Sequence, residues 1–154
     1  QAKRITVFEI DDRIINIIEQ ISKENNLEIK LVNQDLRKPV ERKYLHSFEI
    51  VFTDPPYTRE GINLFVNRGI ELIKNNFISR IYLCYGNSDR ARERELEIQK
   101  LIGDKGLLTQ SKRYQFNKYY GANSIGASSS LYLLDWTPKT KVSAVSGKRI
   151  YTND

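Results

Sequence analysis

The 154-residue sequence predicts an α/β fold built on an open, mostly parallel sheet with an antiparallel ending. The chain alternates short β-branched runs with longer stretches of helical apolar spacing. Acids fall where those runs end, and two late strands follow each other with no helical stretch between them.

The first run, Ile5-Thr6-Val7-Phe8, ends at Glu9. A helix is predicted over 12–24, with Asp11 or Asp12 as its N-cap and Ile14, Ile18 and Ile21 as a core stripe. A strand over 28–33 delivers Asp35 within Gln34-Asp35-Leu36-Arg37-Lys38-Pro39. Residues 48–53 read as a buried strand that ends at Asp54. The stretch 61–74 is amphipathic, with Ile62, Phe65, Val66, Ile70 and Ile73 on one face. A buried strand over 79–85, a helix over 89–102 capped by Gly103, and strands over 107–114 and 129–136 complete the order. Residues 119–130, rich in Gly, Ser and Tyr, form either a lid or a long hairpin connection. Residues 137–154 have few apolar anchors and are expected to form a loosely held basic tail on a catalytic domain spanning 1–136.

The most specific segment is Asp54-Pro55-Pro56-Tyr57-Thr58. In open α/β sheets, ligands bind beyond the carboxyl ends of the strands. Neither proline can donate a backbone N–H, and Pro55 drives Asp54 toward an extended conformation. The turn therefore presents a carboxylate, bare carbonyls and one aromatic ring. That set suits an amino group, with acceptors for its protons and a π face against its charge or plane. Glu9 and Asp35 end their strands in the same way. An acid after the second strand of a doubly wound sheet accepts from two adjacent ribose hydroxyls, and Asp35 then faces the base.

With 40% hydrophobic residues the chain can bury one core. No apolar stretch approaches membrane-spanning length and no signal peptide is visible, so a cytoplasmic location is expected. The single cysteine, Cys84, lies in the apolar run Ile81-Tyr82-Leu83-Cys84-Tyr85 and reads as a buried free thiol. The single histidine, His46, has no neighbouring ligand, so no metal site is expected. The net charge of +6 favours anionic partners in general. Lys112, Arg113, Lys118, Lys139, Lys141, Lys148 and Arg149 lie in the last third, however, and the helix carrying Arg90, Arg92 and Arg94 is balanced by Glu93, Glu95 and Glu97. The strand ends are acidic instead, with Glu9, Asp11, Asp12, Asp35, Asp54 and Glu60.

The Asp-Pro-Pro-Tyr turn resembles that of class I S-adenosylmethionine-dependent transferases that methylate amines. A narrower resemblance rests on Phe8-Glu9-Ile10-Asp11-Asp12-Arg13, Gln34-Asp35-Leu36-Arg37-Lys38-Pro39, Asp54-Pro55-Pro56-Tyr57-Thr58 and Phe65-Val66-Asn67-Arg68-Gly69-Ile70 in that order. Together these are similar to the catalytic domain of the branched-chain polyamine synthases, strongly over residues 4–75 and loosely beyond. The resemblance implies a Rossmann-like class I methyltransferase-type sheet, truncated at its amino end. In that family a winged-helix-like domain and a Gly-Asp-Asp-Asp motif carrying a catalytic acid would precede Gln1, so this chain is expected to be an inert carboxy-terminal fragment.

The implied reaction is aminopropyl transfer from decarboxylated S-adenosylmethionine to a secondary amine of a polyamine such as spermidine. There is no prosthetic group, and the family leaves room for a homodimer. By resemblance, Asp54 and Tyr57 are catalytic, and Asp54, Pro55, Pro56, Tyr57 and Thr58 bind the acceptor. Glu9 holds the donor's ribose and Asp35 its adenine amino group, with Asp11 and Leu36 beside them. The alternative is amino methylation of a nucleic-acid base from S-adenosylmethionine itself, using the same Asp54 and Tyr57. A third reading is a non-catalytic nucleic-acid-binding piece driven by the basic tail.

Overall fold

The computed structural model describes residues 4–86, 92–118, 128–147 and 149–151. It divides into two compact units, Gln1–Val40 and Glu41–Asp154.

The first unit is a parallel pair of strands, β1 (Ile5–Glu9) and β2 (Ile29–Asn33), joined by helix α1 (Asp12–Glu24). Asp11 caps α1, accepting from the Arg13 backbone N–H at 2.9 Å, and the chain leaves the helix through Asn26 at φ 51°. The register runs from Ile5 opposite Ile29 to Glu9 opposite Asn33, so both strands end at one level. The expected core stripe of α1 is not buried within this unit: Ile14 is 42% exposed and Ile21 45%. One helix over two short strands offers too little apolar surface to enclose a stripe.

The second unit holds β3 (Ile50–Thr53), α2 (Arg59–Leu72), β4 (Arg80–Gly86), α3 (Arg92–Asp104), β5 (Leu108–Lys118) and β6 (Ser128–Asp135). Its sheet has the order β3-β4-β6-β5. The β3–β4 pair is parallel, and β6 runs antiparallel to both β4 and β5, which is the antiparallel ending the sequence predicts. Ile62, Val66 and Ile70 of α2 pack with Ile81 and Leu83 of β4 and Leu134 of β6 at the centre of the core. Strand β3 is shorter than 48–53 and is not buried as expected. Ile50 is 58% exposed and Phe52 61%, because only alternate side chains of this end strand face α2. Phe48 forms an isolated parallel bridge to Ile73 instead.

Gly103 does not cap α3; it lies within the last turn. The terminator is Gly106, at φ 70°, with the Leu107 N–H closing back to the Ile102 carbonyl at 3.3 Å. The lid expected over 119–130 falls mostly on residues outside those described. No helix among the described residues is long and apolar enough to cross a membrane.

The tail, expected to be loosely held, is bound along α2. The side-chain amide of Asn67 donates to the Ser143 carbonyl at 2.7 Å, and that of Asn63 to the Ala144 carbonyl at 2.8 Å. The Ser146 N–H donates to Glu60 at 3.0 Å, and the Thr58 hydroxyl to the Ile150 carbonyl at 2.6 Å. Beneath this ladder lies Lys105, only 1% exposed, whose ammonium donates to Asn67 Oδ1 and, at 2.7 Å, to Ser143 Oγ. Thr137 Oγ1 donates to the Gly106 carbonyl at 2.6 Å. A Cβ at Gly106 would sit 2.2 Å from the Lys139 carbonyl oxygen.

Gly106→Ala should therefore cost about 1–3 kcal/mol from the left-handed backbone alone, measured by urea unfolding, with further loss as the tail is pushed off. A cost near zero would place the turn elsewhere. A pH dependence follows from Lys105, whose burial lowers its pKa from 10.5 to about 8. Above pH 8 the native state sheds a proton that the unfolded chain keeps up to 10.5, so stability should rise through that window. Burial pushes Tyr132 from 10.0 up to about 12, which acts oppositely: above pH 10 the unfolded chain loses a proton the native state retains, and stability falls. Lys112, also lowered by burial, adds to the rise, and Cys84, raised by burial, opposes it above pH 9. The urea midpoint should climb above pH 8 and turn over at higher pH, and Lys105→Met should reduce the climb. An identical climb in Lys105→Met would refute this account.

Candidate active site

Asp54 follows the last residue of β3 and stands at the carboxyl end of the parallel pair β3–β4. Pro55 is buried and anchors the turn, and Thr58 ends it as the N-cap of α2, its Oγ1 accepting from the Gly61 N–H at 2.9 Å. Tyr57 folds back so that its hydroxyl donates to Asp54 Oδ1 at 3.2 Å. Its ring meets Tyr85 edge-on, with centroids 5.4 Å apart and planes at 71°. It also lies against Gly86, where a Cβ would come within 2.7 Å of Tyr57 Cε2. The turn is thus held from both ends, and Asp54, which is exposed, has one carboxylate oxygen already oriented.

Beside Tyr57 opens a cavity of about 490 Å3 lined by Thr58, Tyr85, Ile98 and Tyr151, with Arg59, Arg94, Arg149 and Glu97 supplying its charge. This wall is net basic, whereas the sequence predicts acidic surroundings at the strand ends. Cys84 is a buried free thiol, as expected; burial and then the negative charge of Asp54 push its pKa up, which disfavours the reactive thiolate.

The other predicted donor-binding residues lie in the first unit. Glu9 turns its carboxylate over its own turn, accepting from the Ile10 N–H at 2.7 Å and the Asp11 N–H at 2.9 Å. The Gln34 N–H donates to the Glu9 carbonyl at 2.9 Å, which sets Glu9 and the Asp35 turn at one end of the strand pair. Asp35 is gripped by the Arg37 guanidinium at 2.9 and 3.0 Å and by the Arg37 N–H at 2.9 Å, and these bonds hold its pKa below the usual carboxylate value. Asp11 is paired with Arg13 at 2.5 Å, and this hydrogen-bonded pair lowers its pKa to about 2. Leu36 is half-buried in the Asp35 turn.

The structure therefore groups Glu9 with Asp35, Leu36 and Asp11, and Asp54 with Pro55, Pro56, Tyr57 and Thr58. Sequence reasoning missed Tyr85, Gly86, Arg94, Arg149 and Tyr151. Arg94 sits on a helix whose mixed charge reads as a solvated face, and the last two sit in a tail with no periodic pattern. His46 places Nδ1 3.0 Å from the Ile73 carbonyl oxygen, and no cluster of three or more metal-binding side chains occurs among the described residues.

A family model for the branched-chain polyamine synthase A C-terminal domain matches residues 1–149. An uncharacterized protein of Methanocaldococcus jannaschii is 37% identical over 124 residues, covering 80% of this chain and 31% of that protein. The N(4)-bis(aminopropyl)spermidine synthase of the same organism is 34% identical over 119 residues, covering 76% of this chain and 34% of the relative. The chain thus spans about a third of the length of these curated relatives. Among solved structures, the branched-chain polyamine synthase of Thermus thermophilus, in complex with N4-aminopropylspermidine and 5'-methylthioadenosine, superposes with a TM-score of 0.77. Identity there is 21%, over 95% of this chain and 48% of that one. A SAM-dependent methyltransferase from Aquifex aeolicus gives a TM-score of 0.60 at 10% identity, over 87% of this chain and 69% of that one. The fold is therefore of the class I methyltransferase type.

The packing of Tyr57 on Gly86 generates a test. Gly86→Ala should cost about 1–3 kcal/mol in urea unfolding, the range for overpacking a filled site. Adding Tyr57→Ala should cost much less than the sum of the single changes, because the clash leaves with the ring. Strictly additive costs would mean that the ring does not occupy this place.

Proposed function

The chain belongs to the branched-chain polyamine synthase A C-terminal domain family, and from that membership we propose that it works in aminopropyl transfer from decarboxylated S-adenosylmethionine to a secondary amine of a polyamine such as spermidine. The observation that supports this most is Asp54, an exposed carboxylate oriented by Tyr57 in a turn of proline carbonyls, on a chain whose relatives include N(4)-bis(aminopropyl)spermidine synthases. The ligands of the Thermus structure agree with it. An aminopropylated spermidine and a thioether nucleoside are what such a transfer leaves behind.

In this reading the amine nitrogen attacks the methylene carbon next to the sulfonium. The C–N bond forms as the C–S bond breaks, and the electron pair of that bond returns to sulfur, so the thioether departs neutral. The acceptor must offer a lone pair, yet a carboxylate alone holds an amine protonated. Asp54 therefore helps by orienting the amine and taking up its proton as the bond forms. The Tyr57 hydroxyl keeps the carboxylate in place, and its ring packs against the alkyl amine. Glu9 holds the ribose and Asp35 the adenine amino group, with Asp11 and Leu36 beside them. An ionised carboxylate has about four lone-pair positions, so Asp35 can accept from a ligand while keeping Arg37.

A second reading draws on the basic cavity wall. Arg59, Arg94 and Arg149 suit phosphates better than ammonium groups, which favours amino methylation of a nucleic-acid base. The two are separated by offering the full-length protein each sulfonium donor with either spermidine or an oligonucleotide and identifying products by mass spectrometry. Aminopropylated spermidine is expected, and methylated nucleic acid with untouched spermidine would replace the first reading by the second.

In the full-length protein, Asp54→Asn should lower turnover by about two to four orders of magnitude, the span of a positioned acid–base group, with donor affinity nearly unchanged. Equal loss of donor affinity would remove Asp54 from the acceptor side. Glu9→Ala should raise the donor KM more than it lowers kcat, by roughly 1–3 kcal/mol, because ribose contacts act alike in ground and transition states. An unchanged KM would reduce Glu9 to the cap of its own turn.

A further inference from the structure

Residues 137–147 and 149–151 are attached in an unusual way. Ile150, at 5% exposure, is their buried apolar side chain, while Val142 is 48% exposed. Apolar burial therefore does little to hold this segment. The polar ladder along α2 holds it instead, through Asn67, Asn63 and Glu60, which are spaced four and three residues apart on one face, and then through the cap residue Thr58. The lower end of the ladder rests on Lys105. A nearly fully buried ammonium is costly unless its protons are bonded, and here it is satisfied by Asn67 Oδ1 and Ser143 Oγ, with Ser143 Oγ donating on to Asn63 Oδ1 at 2.9 Å. At the upper end, the Thr58 hydroxyl does two things at once. It accepts from the Gly61 N–H at 2.9 Å and donates to the Ile150 carbonyl at 2.6 Å. A Cβ at Gly61 would lie 2.7 Å from that carbonyl oxygen and 2.8 Å from the Pro56 carbonyl oxygen, so the strap and the turn close on the same point. Arg149 and Tyr151, next to Ile150, then line the cavity beside Tyr57.

We propose that residues 137–147 and 149–151 form a positioning strap for the Asp54–Thr58 turn, and that Lys105, which touches none of the cavity-lining residues through these bonds, is the positioning residue that anchors it. The strap itself depends only on the hydrogen-bond ladder. Its effect on an acceptor amine rests on the reading of Asp54 given above.

The test uses amide hydrogen exchange on the 154-residue chain and steady-state kinetics on the full-length protein. Lys105→Met keeps the side-chain length and removes the donor. It should speed exchange at the Ser143 and Ser146 amides at least tenfold and, at the far end, raise exchange at Gly61 by a similar factor. Should that variant not fold, Ser143→Ala cuts the same link more gently and should act in the same direction. Thr58→Asp keeps a cap acceptor but cannot donate to Ile150, so it should loosen Ile150 while Gly61 stays protected. Thr58→Ser should restore both. Release of the tail amides with Gly61 unchanged in Lys105→Met would overturn the strap, as would unchanged tail amides. In the full-length protein, Lys105→Met should raise the acceptor KM severalfold and leave the donor KM unaltered. Loosened exchange with an unaltered acceptor KM would overturn the positioning role. A wild-type protein that transfers nothing to any amine would instead defeat the proposed function, and the exchange result would still decide the strap.

Discussion

The hydroxyl of Thr58 is the hinge on which the second unit turns. It caps α2, closes the Asp-Pro-Pro-Tyr turn and receives the carbonyl of Ile150, all through one oxygen with one proton. A hydroxyl is the smallest side-chain group that both accepts and donates, so it can serve a helix start and a carbonyl together. The prolines before it make this necessary. They remove two backbone donors from the turn, and the caps and carbonyls around it must satisfy one another by other means.

The same constraint explains how Asp54 is presented. An acid at a strand end with free rotation would sample solvent and lose orientation. Here Tyr57 supplies the donor that the proline backbone cannot, and Tyr85 and Gly86 fix the ring from the side of β4. The acids of the first unit are restrained in the opposite manner. Asp11 and Asp35 spend their charge on arginines two residues away, and Glu9 on the backbone of its own turn. Such local closures keep the carboxylates ordered, and the arginine pairs favour the ionised form of Asp11 and Asp35.

Local chemistry was legible in the sequence, and tertiary context was not. The helix over 12–24 and its Asp11 cap follow from short-range hydrogen bonding and apolar spacing. The acid at the end of β3 and the antiparallel close of the sheet follow from chain order. Burial did not follow, because the stripe of Ile14 and Ile21 and the apolar faces of Ile50 and Phe52 reveal amphipathicity but not what covers it. Gly103 and Gly106 are equally good terminators by composition, and only the positive φ at Gly106 chooses between them. The tail was misjudged for a related reason. Its attachment is polar and irregular, and a hydrophobic pattern search is blind to it. A signal did exist in Asn63 and Asn67, an i, i+4 amide pair interleaved with the apolar residues of α2, since a buried amide pair requires partners.

The charge of the cavity wall adds a last constraint on the chemistry. The cavity beside Tyr57 carries Arg59, Arg94 and Arg149, with Glu97 as the opposing charge among the lining residues. That arrangement disfavours extra ammonium groups inside the cavity and leaves Glu97 and the tyrosine faces as its attractive points. Under the proposed aminopropyl transfer, a secondary amine flanked by alkyl chains would suit this wall better than a terminal amine, because its alkyl arms can lie along Tyr57, Tyr85 and Tyr151 while the distal charges stay in water. The arginines would then act by exclusion, refusing acceptors that enter end first, and selectivity would come as much from what the wall repels as from what Asp54 binds.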